Sequence, residues 1–502
     1  MLITIPDWVK DAIFYQIFPD RFARSERLPP QPHFEPWDSP PTTLGFKGGD
    51  LFGVLERLDY LQDLGITAIY FTPIFSSAAN HRYHTYDYFT VDPLLGGNAA
   101  LRELLDAAHA RGMRVVLDGV FNHASRGLWQ FHHVLENGAT SPYVDWFHFN
   151  HDHLTGKRHF AAYPDPEARS ALRRGVGSYE ALGYEAWWNL PALPKFNTAT
   201  PAVREFLWNV ASHWMTFGID GWRLDVPEEI KDATFWQEFR RRVKAINSEA
   251  YIVGEIWHPA QEWLHGDRFD AVMNYPFAAG CLGFCGSDQL NLSEARHPGG
   301  LRHVRPLSES EFADHIDWLV SLYDPEVTSV QLNLLDSHDT ARFLTSVNGD
   351  KTALQLAVLL LLTLPGAPCV YYGDEVGVDG KHDPDCRKAF PWDTTVWDHS
   401  LYTFVKKCIA LRHSHPALRR GEYRRLYAKD GVYAFARKLG DEVVVVALNA
   451  AREARRVDIP GYLVGLQDGR SLRDVWSPRT WTVHKGIVPS VELAPRSGVV
   501  LA

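Results

Sequence analysis

Three acidic residues follow short apolar segments of the sequence. Asp225, Glu255 and Asp339 each come after a run short enough for a β-strand, and strand alternation places Arg223 on the same face as Asp225. Two carboxyl groups about 5–5.5 Å apart can cleave a glycosidic bond with retention: one protonates the leaving oxygen, and the other attacks the anomeric carbon. Because neighbouring strands lie about 4.8 Å apart, we predict Asp225 as the nucleophile and Glu255 as the acid/base.

Neighbouring side chains would tune this pair. Arg223 would keep Asp225 ionised through a charge-assisted hydrogen bond, and nearby carboxylates would raise the pKa of Glu255 so that it stays protonated until it donates. An isolated Asp after a strand is more often a helix N-cap than a catalyst, and an isolated Arg–Asp pair is more often a structural ion pair. Helix caps and ion pairs do not readily explain charged residues and histidines at the ends of four candidate strands. Sugar hydroxyls would be held by three further residues at these ends, Asp339, His123 and His338.

The elements that would carry these residues alternate along the chain. Amphipathic stretches such as Leu51–Leu64 show helical spacing, and several end in glycine, as at Gly65, Gly112 and Gly218. Alternating strands and helices imply a parallel sheet, and eight such units predict an α/β fold of the closed (β/α)8 TIM-barrel type. The alternative is an open doubly wound sheet, which would normally show a Gly-rich loop after its first strand. The candidate strands are Ala12–Gln16, Ala68–Phe71, Val115–Asp118, Gly221–Asp225, Tyr251–Glu255, Asp270–Met273, Val330–Leu335 and Cys369–Tyr372.

Two regions interrupt the alternation. Residues 124–197 are aromatic and rich in His, Trp and Pro, and they are too long for a passive loop, so we predict a small inserted domain after the third strand. From about residue 420 onwards, short β-rich runs separated by Gly and Asp predict a C-terminal antiparallel β-sandwich. The predicted domains are therefore a barrel of residues 1–123 and 198–419, the insertion 124–197 and the sandwich 420–502.

Composition restricts the partners. The formal net charge of the 502 residues is −10, which argues against nucleic acid and anionic membranes. The most apolar run, 353–364, is shorter than the about 20 residues that a membrane span needs, and no signal peptide is visible. The 5 Cys match no zinc spacing, which predicts buried free thiols. We expect a cytoplasmic protein without nucleic-acid or membrane partners.

Four strand-end segments, 118–123, 221–225, 253–257 and 335–339, resemble the signature regions of the α-amylase family of glycoside hydrolases. The resemblance implies an α-glucan substrate and hydrolysis of α-1,4 bonds in maltooligosaccharides, cyclodextrins, pullulan or starch. A transglycosylase on the same α-glucans is the alternative, because the two activities share every catalytic residue. The subfamily of neopullulanases, cyclomaltodextrinases and maltogenic amylases is the most similar group, on stretches 193–197, 254–258, 334–340, 371–375 and 383–388.

The resemblance also implies substrate-binding residues. His81 and Tyr83 match the family's His-x-Tyr, with Tyr83 stacked under the sugar at the cut, while His84 and Tyr86 offer a second register. Trp257 would line the leaving-group side of the cleft, with core packing as the alternative. Asp383 and Arg387 would bind the distal glucose, with a structural salt bridge as the alternative.

Two departures from the family bear on assembly and on calcium binding. Most subfamily members carry an N-terminal β-domain that builds a dimer, whereas Tyr15 and Gln16 of the first strand come almost at once here, so we expect a monomer with a more open cleft. Residues 23–30 contain Arg and Pro where relatives have a calcium loop, and neither supplies hard oxygen ligands. We therefore expect no required cofactor and a lost N-terminal calcium site, while Asn122 leaves a second calcium site beside the insertion open.

Two further hypotheses concern other functions. Some family relatives are transporter subunits or binding proteins that have lost the catalytic carboxylates. Asp225, Glu255 and Asp339 are all present in this sequence, which argues against a non-catalytic function. A metal-dependent hydrolase would need a tight cluster of three ligands, with His81, His84 and His123 as candidates. We predict no metal site.

Overall fold

The computed structural model describes residues 3–296 and 301–502. Its strands are β1 (Phe14–Ile17), β2 (Ala68–Phe71), β3 (Phe75–Ser77), β4 (Thr85–Val91), β5 (Arg114–Gly119), β6 (Gly221–Leu224), β7 (Tyr251–Gly254), β8 (Ala271–Asn274), β9 (Leu332–Asn333), β10 (Ala367–Tyr371), β11 (Glu422–Lys429), β12 (Val432–Leu439), β13 (Glu442–Asn449), β14 (Arg455–Ile459), β15 (Ser471–Arg473), β16 (Thr480–Thr482), β17 (Val488–Leu493) and β18 (Ser497–Leu501). Its α-helices are α1 (Pro19–Phe22), α2 (Leu51–Glu56), α3 (Leu58–Leu64), α4 (Gly97–Ala110), α5 (Trp129–Asn137), α6 (His151–Leu154), α7 (Pro166–Arg173), α8 (Ser178–Ala181), α9 (Pro201–Phe217), α10 (Ala233–Ile246), α11 (Tyr275–Gly286), α12 (Leu292–Ala295), α13 (Glu309–Ser321), α14 (Pro325–Thr328), α15 (Phe343–Ser346), α16 (Lys351–Thr363), α17 (His399–Ser414) and α18 (Pro416–Arg420).

Eight parallel strands close into a barrel in the order β1-β10-β9-β8-β7-β6-β5-β2. Each corresponds to one of the predicted strands, so the TIM-barrel prediction is confirmed. The predicted segment Val330–Leu335 is paired only at Leu332 and Asn333. Leu334 and Leu335 lie beyond the last paired residue and are still buried. Their apolar side chains therefore indicate burial in the core and not strand pairing.

Glycines end several of the helices that precede barrel strands. α3 ends at Gly65 with φ 96°, and α9 ends at Gly218 with φ 110°. Both are left-handed conformations that a residue with a Cβ adopts at a cost. Gly112, with φ 74°, follows the residue that caps α4. These stops deliver the chain to the start of β2, β6 and β5.

The segment between β5 and α9 is built around an aromatic cluster. Phe131 on α5 contacts Phe147, Phe149 and Tyr184, with ring centroids 5.0, 5.5 and 4.8 Å apart. A bridge between His123 and Lys195 ties this segment to the carboxyl end of β5. Residues 124–197 stay our proposed bounds for the inserted domain.

The C-terminal part is an antiparallel sheet domain, as predicted, with the strand order β11-β12-β13-β18 in its larger sheet. Alternate residues of β12 face two different cores. Val432 and Ala434 belong to the domain's own core, whereas Tyr433 and Phe435 pack into the core shared with the barrel. Because successive strand residues point to opposite faces, this double burial explains why β12 is apolar on both sides. The proposed boundary at residue 420 remains a proposal.

Two predictions about burial can be compared with the structure. In residues 3–296 and 301–502, no helix is both long and apolar enough to cross a lipid bilayer. The most apolar run forms α16, whose residues from Ala353 onwards are almost all buried. All five cysteines are free and buried, which confirms the predicted thiols.

Candidate active site

Asp225 and Glu255 lie side by side at the carboxyl ends of β6 and β7. Leu224 pairs with Gly254 across the two strands, so the two acids are the next residues on each strand. The backbone N–H of Asp225 donates to the Gly119 carbonyl at 3.1 Å, and that of Glu255 donates to the Leu224 carbonyl at 2.9 Å. The main chain therefore holds the two carboxyl-bearing residues one strand spacing apart, about 4.8 Å.

A cavity of about 480 Å³ opens over these strand ends. Among the described residues, Arg223 and His338 are not in its lining and are fully buried behind the wall. Tyr86 is also outside the lining, whereas Tyr83 is in it, which favours the first His-x-Tyr register. The structure brings nine predicted site residues together around the cavity: Asp225, Glu255, Asp339, His81, Tyr83, His123, Trp257, Asp383 and Arg387.

Arg223 is shared among three carboxylates. Its Nη1 lies 2.9 Å from both oxygens of Asp118 and 3.2 Å from Oδ1 of Asp225, and its Nη2 lies 3.1 Å from Oε1 of Glu255. Sequence reasoning did not select Asp118 as a site residue. A signal was present, because Asp118 and Arg223 occupy paired positions on the neighbouring strands β5 and β6, where opposite charges face one another.

Burial controls the protonation of the pair. It raises the pKa of Asp225 well above the usual range; the charge of Glu255 adds to this, and Arg223 opposes it. Burial also raises the pKa of Glu255 to about 7, again opposed by Arg223. The predicted charge-assisted contact between Arg223 and Asp225 is present at 3.2 Å, and the expectation that it keeps Asp225 ionised stays a prediction, since desolvation acts against it. The two carboxyl groups also raise each other's pKa through like-charge repulsion.

Two donors fix the Glu255 carboxyl group. The backbone N–H of Val226 donates to its Oε2 at 3.1 Å, and Nε1 of Trp257 donates to its Oε1 at 3.1 Å. Val226 has φ 36° and ψ 51°, a left-handed conformation that strains a β-branched residue. Trp257 lines the cavity and also stacks on Tyr275, with ring centroids 3.5 Å apart. Trp257 thus combines the predicted lining position with partial packing against the core.

Arg387 connects the predicted distal residues to the third carboxylate. Its Nη2 lies 3.2 Å from Oδ1 of Asp339, and its Nη1 lies 3.1 Å from Oδ1 of Asp383. Oδ2 of Asp339 lies 3.1 Å from Nε2 of His338. The salt bridge that we considered as an alternative for Asp383 and Arg387 is therefore present, and both residues also line the cavity.

His338 supports the cavity wall from behind. The amide of Gln16 donates to its Nδ1 at 2.8 Å, and its Nε2 lies 2.6 Å from the hydroxyl of Tyr83. Tyr83 stacks on the imidazole at 5.5 Å and donates to Asp118 at 2.8 Å. Burial lowers the pKa of His338 to about 3, so the ring is neutral with its proton on Nε2. The structure therefore places His338 behind the cavity wall, where it contacts Tyr83 and Asp339, and its predicted hydrogen bond to a sugar hydroxyl stays a prediction.

The histidines proposed as metal ligands are engaged differently. Nδ1 of His81 accepts a hydrogen bond from the backbone of Tyr83 at 3.2 Å. Burial lowers the pKa of His123 to about 3 and that of His84 to about 4. Within residues 3–296 and 301–502, no group of three or more His, Cys, Asp or Glu side chains is arranged to hold a metal ion.

The predicted loss of the N-terminal calcium site depends on the residues after β1. The carboxylate of Asp50 accepts from the backbone of Gly53 at 2.8 Å and of Ser25 at 2.9 Å, so it caps α2. Oδ1 of Asn122 is buried without a hydrogen-bond partner in the described structure, but no carboxylate cluster accompanies it there. Calcium takes six to eight oxygens, backbone and amide carbonyls included, so a site beside the insertion stays open. The expectation that no cofactor is required stays a prediction.

Residues of the inserted segment complete the cavity wall. Trp187, Trp188 and Leu190 line it, and Trp187 stacks on His123 with ring centroids 5.0 Å apart. Sequence reasoning did not identify these residues, because the segment shows no periodicity from which their orientation follows.

Comparisons with known proteins agree with this architecture. Residues 16–399 match the family model described as alpha amylase, catalytic domain, and residues 423–501 match the neopullulanase-like C-terminal domain. A cyclomaltodextrinase of Geobacillus thermopakistaniensis (strain MAS1) is 43% identical over 463 residues, which cover 91% of this chain and 72% of that protein. The structure of Ttha1563 from Thermus thermophilus has a TM-score of 0.89 and 48% identity, and the match covers 98% of this chain and 99% of that one. The native Nostoc punctiforme debranching enzyme has a TM-score of 0.87 and 46% identity, with 100% of both chains covered. The chain belongs to the α-amylase family of glycoside hydrolases.

Proposed function

We propose that this chain hydrolyses α-1,4-glucosidic bonds in maltooligosaccharides, cyclodextrins, pullulan or starch, with retention of anomeric configuration. The observation that carries this proposal is the pairing of the strands that end at Asp225 and Glu255. It puts the main chains of the two residues about one strand spacing apart, and both side chains line one cavity, which supports the short carboxyl separation of retaining enzymes.

In the first step, Glu255 gives its proton to the glycosidic oxygen while a carboxylate oxygen of Asp225 attacks the anomeric carbon. The bond to the leaving sugar breaks, and an ester between the glucosyl unit and Asp225 forms. In the second step, Glu255 takes a proton from water, and the water oxygen displaces Asp225 from the same carbon. The first step needs the proton on Glu255 and an ionised Asp225, and the second begins with Glu255 ionised, so that it can accept the proton from water. The donors from Val226 and Trp257 orient Glu255 for both transfers.

The charged neighbours stabilise the transition state. Positive charge develops at the anomeric carbon, and Asp225 and Asp339 both line the cavity. Arg387 and His338 hold Asp339 at 3.2 and 3.1 Å, so its carboxylate is oriented before the substrate arrives. The stacked Tyr83 ring offers a flat face for the sugar at the cut.

The similar proteins support an α-glucan substrate. The cyclomaltodextrinase covers most of this chain, and the debranching enzyme matches along its whole length. The latter favours a second candidate activity, cleavage of branch points. Transfer of the glucosyl unit to another sugar remains the alternative outcome of the second step. We also keep the monomeric state as a proposal.

Substitution of either carboxyl group tests the mechanism. Asp225→Asn and Glu255→Gln should each lower kcat on maltooligosaccharides by several orders of magnitude, about 10³-fold or more, with unchanged circular dichroism. Asp232→Asn is the matched control: Asp232 caps α10, asparagine caps equally well, and activity should be retained. An active Asp225→Asn enzyme would overturn the assignment of the nucleophile.

Product analysis tests the reaction and the substrate. NMR of the first product should show the α-anomer, and release of the β-anomer would exclude retention. Cyclodextrin, pullulan and soluble starch compared side by side distinguish α-1,4 cleavage from branch-point cleavage. At high maltotriose concentration, products longer than the substrate would identify the transglycosylase alternative.

A further inference from the structure

Three flat rings are stacked along one wall of the cavity. Trp187 packs on His123 with centroids 5.0 Å apart and planes 13° apart, and Trp188 packs on Trp187 at 4.4 Å and 11°. Trp188 lines the cavity and is also 68% exposed. One of its faces is therefore covered by Trp187, and the other is open at the cavity's outer edge.

The main chain holds Trp188 in an unfavourable conformation. Its φ of 52° and ψ of 25° are left-handed, which costs a residue other than glycine about 1–3 kcal/mol. Hydrogen bonds fix the turn on both sides: the Trp187 N–H donates to the Leu193 carbonyl at 2.9 Å, and the Asn189 side chain accepts from the Ser178 N–H at 2.8 Å. An exposed, rigidly held indole on a strained turn is a feature that folding alone does not require.

The open face of Trp188 suits one kind of ligand. It is flat and apolar, and it lies at the edge of a cavity that also contains charged side chains. A pyranose ring has the matching chemistry, because its C–H faces are apolar and its rim carries hydroxyls.

We propose that the open face of Trp188 binds a glucose unit of the α-glucan chain outside the cleavage site, and so sets the preference for longer chains. The inference rests on the proposed function, because the occupant is the chain whose bond is cut between Asp225 and Glu255. Continuity argues for this occupant, since Trp188 lines the same cavity as both carboxyl groups.

Chain-length kinetics test the inference. We would measure kcat/KM for maltotriose through maltoheptaose with the wild type and Trp188→Ala. The ratio of kcat/KM on maltoheptaose to that on maltotriose should fall about tenfold, equivalent to about 1.4 kcal/mol. Trp188→Phe, which keeps a flat ring, should restore most of the ratio. Calorimetry should show about tenfold weaker binding of maltoheptaose to Glu255→Gln/Trp188→Ala than to Glu255→Gln.

Trp129→Ala is the matched control. Trp129 is 60% exposed in the same inserted segment but rests edge-on against His133, outside the cavity lining. Its replacement should leave the ratio unchanged. An unchanged ratio and affinity in folded Trp188→Ala variants of an active enzyme would overturn the inference and leave the proposed function intact. A wild type that cleaves no α-glucan would overturn the proposed function, and calorimetry alone would then decide whether Trp188 binds the chain.

Discussion

Replacing Trp257 with phenylalanine removes one hydrogen bond from Glu255. In the structure, the indole Nε1 donates to Oε1 at 3.1 Å while the ring stacks on Tyr275. Phenylalanine keeps an aromatic ring on Tyr275 but has no N–H. A donor to a carboxylate stabilises its ionised form and lowers its pKa. Loss of this donor should therefore raise the pKa of Glu255 above its value of about 7.

The magnitude follows from the geometry. A hydrogen bond to a charged group contributes about 1.5–3 kcal/mol, and one pKa unit corresponds to about 1.36 kcal/mol. The distance of 3.1 Å is towards the long end of the range for N–H···O bonds, so the lower value applies. We expect an upward shift of about one unit.

The pH dependence of kcat/KM on a maltooligosaccharide measures this shift. Its alkaline limb reports the acid of the free enzyme, and its position does not depend on how much the substitution lowers the overall rate. Tyr275→Phe is the control, since it keeps the ring under Trp257 and loses only the hydroxyl contact to Ser337 at 3.2 Å. An alkaline limb of Trp257→Phe at or below the wild-type pH would refute the reasoning.

Two predictions concern stability. The pKa of Glu255 is about 7 in the folded state against 4.5 for an unperturbed glutamate, so its stabilising contribution is present below about pH 4.5 and is lost as the pH rises to about 7, a difference of about 3 kcal/mol. Urea titrations of Glu255→Gln should therefore show a weaker fall of unfolding free energy over this range, and a fall as steep as in the wild type would contradict the prediction. Arg437 is buried and donates to the carbonyls of Thr363, Leu418 and Gly421 at 2.7, 2.8 and 2.9 Å. Arg437→Met should destabilise by about 3 kcal/mol, because it leaves buried acceptors unpaired. Arg456→Met on the exposed side of β14 should change stability by less than about 0.5 kcal/mol, and equal thermal shifts in the two variants would disprove this account.

Local patterns were sufficient to predict the barrel. Its strands are short apolar runs, and glycines such as Gly65 and Gly218 stop the helices in the left-handed conformation. These signals depend on neighbouring residues alone. The seventh predicted strand was too long, because Leu334 and Leu335 are apolar for burial without being paired.

The site was predictable where its residues end strands. Asp225 and Glu255 meet because β6 and β7 are adjacent and in register, which follows from barrel topology. Asp118 was missed although it faces Arg223 across two strands. Trp187 and Trp188 were not predictable, since they lie on an irregular turn whose direction depends on the packing of the inserted segment.

The sequence by itself determined the order of strands and helices and the acids at the strand ends, because periodicity, caps and strand termini are properties of contiguous residues. Only the tertiary structure decided how charge is distributed. Arg223 serves three carboxylates, His338 lies behind Tyr83, and burial raises the pKa of both Asp225 and Glu255. Desolvation and the sharing of one guanidinium depend on the distances between residues that are remote in the chain, and these distances exist only after folding.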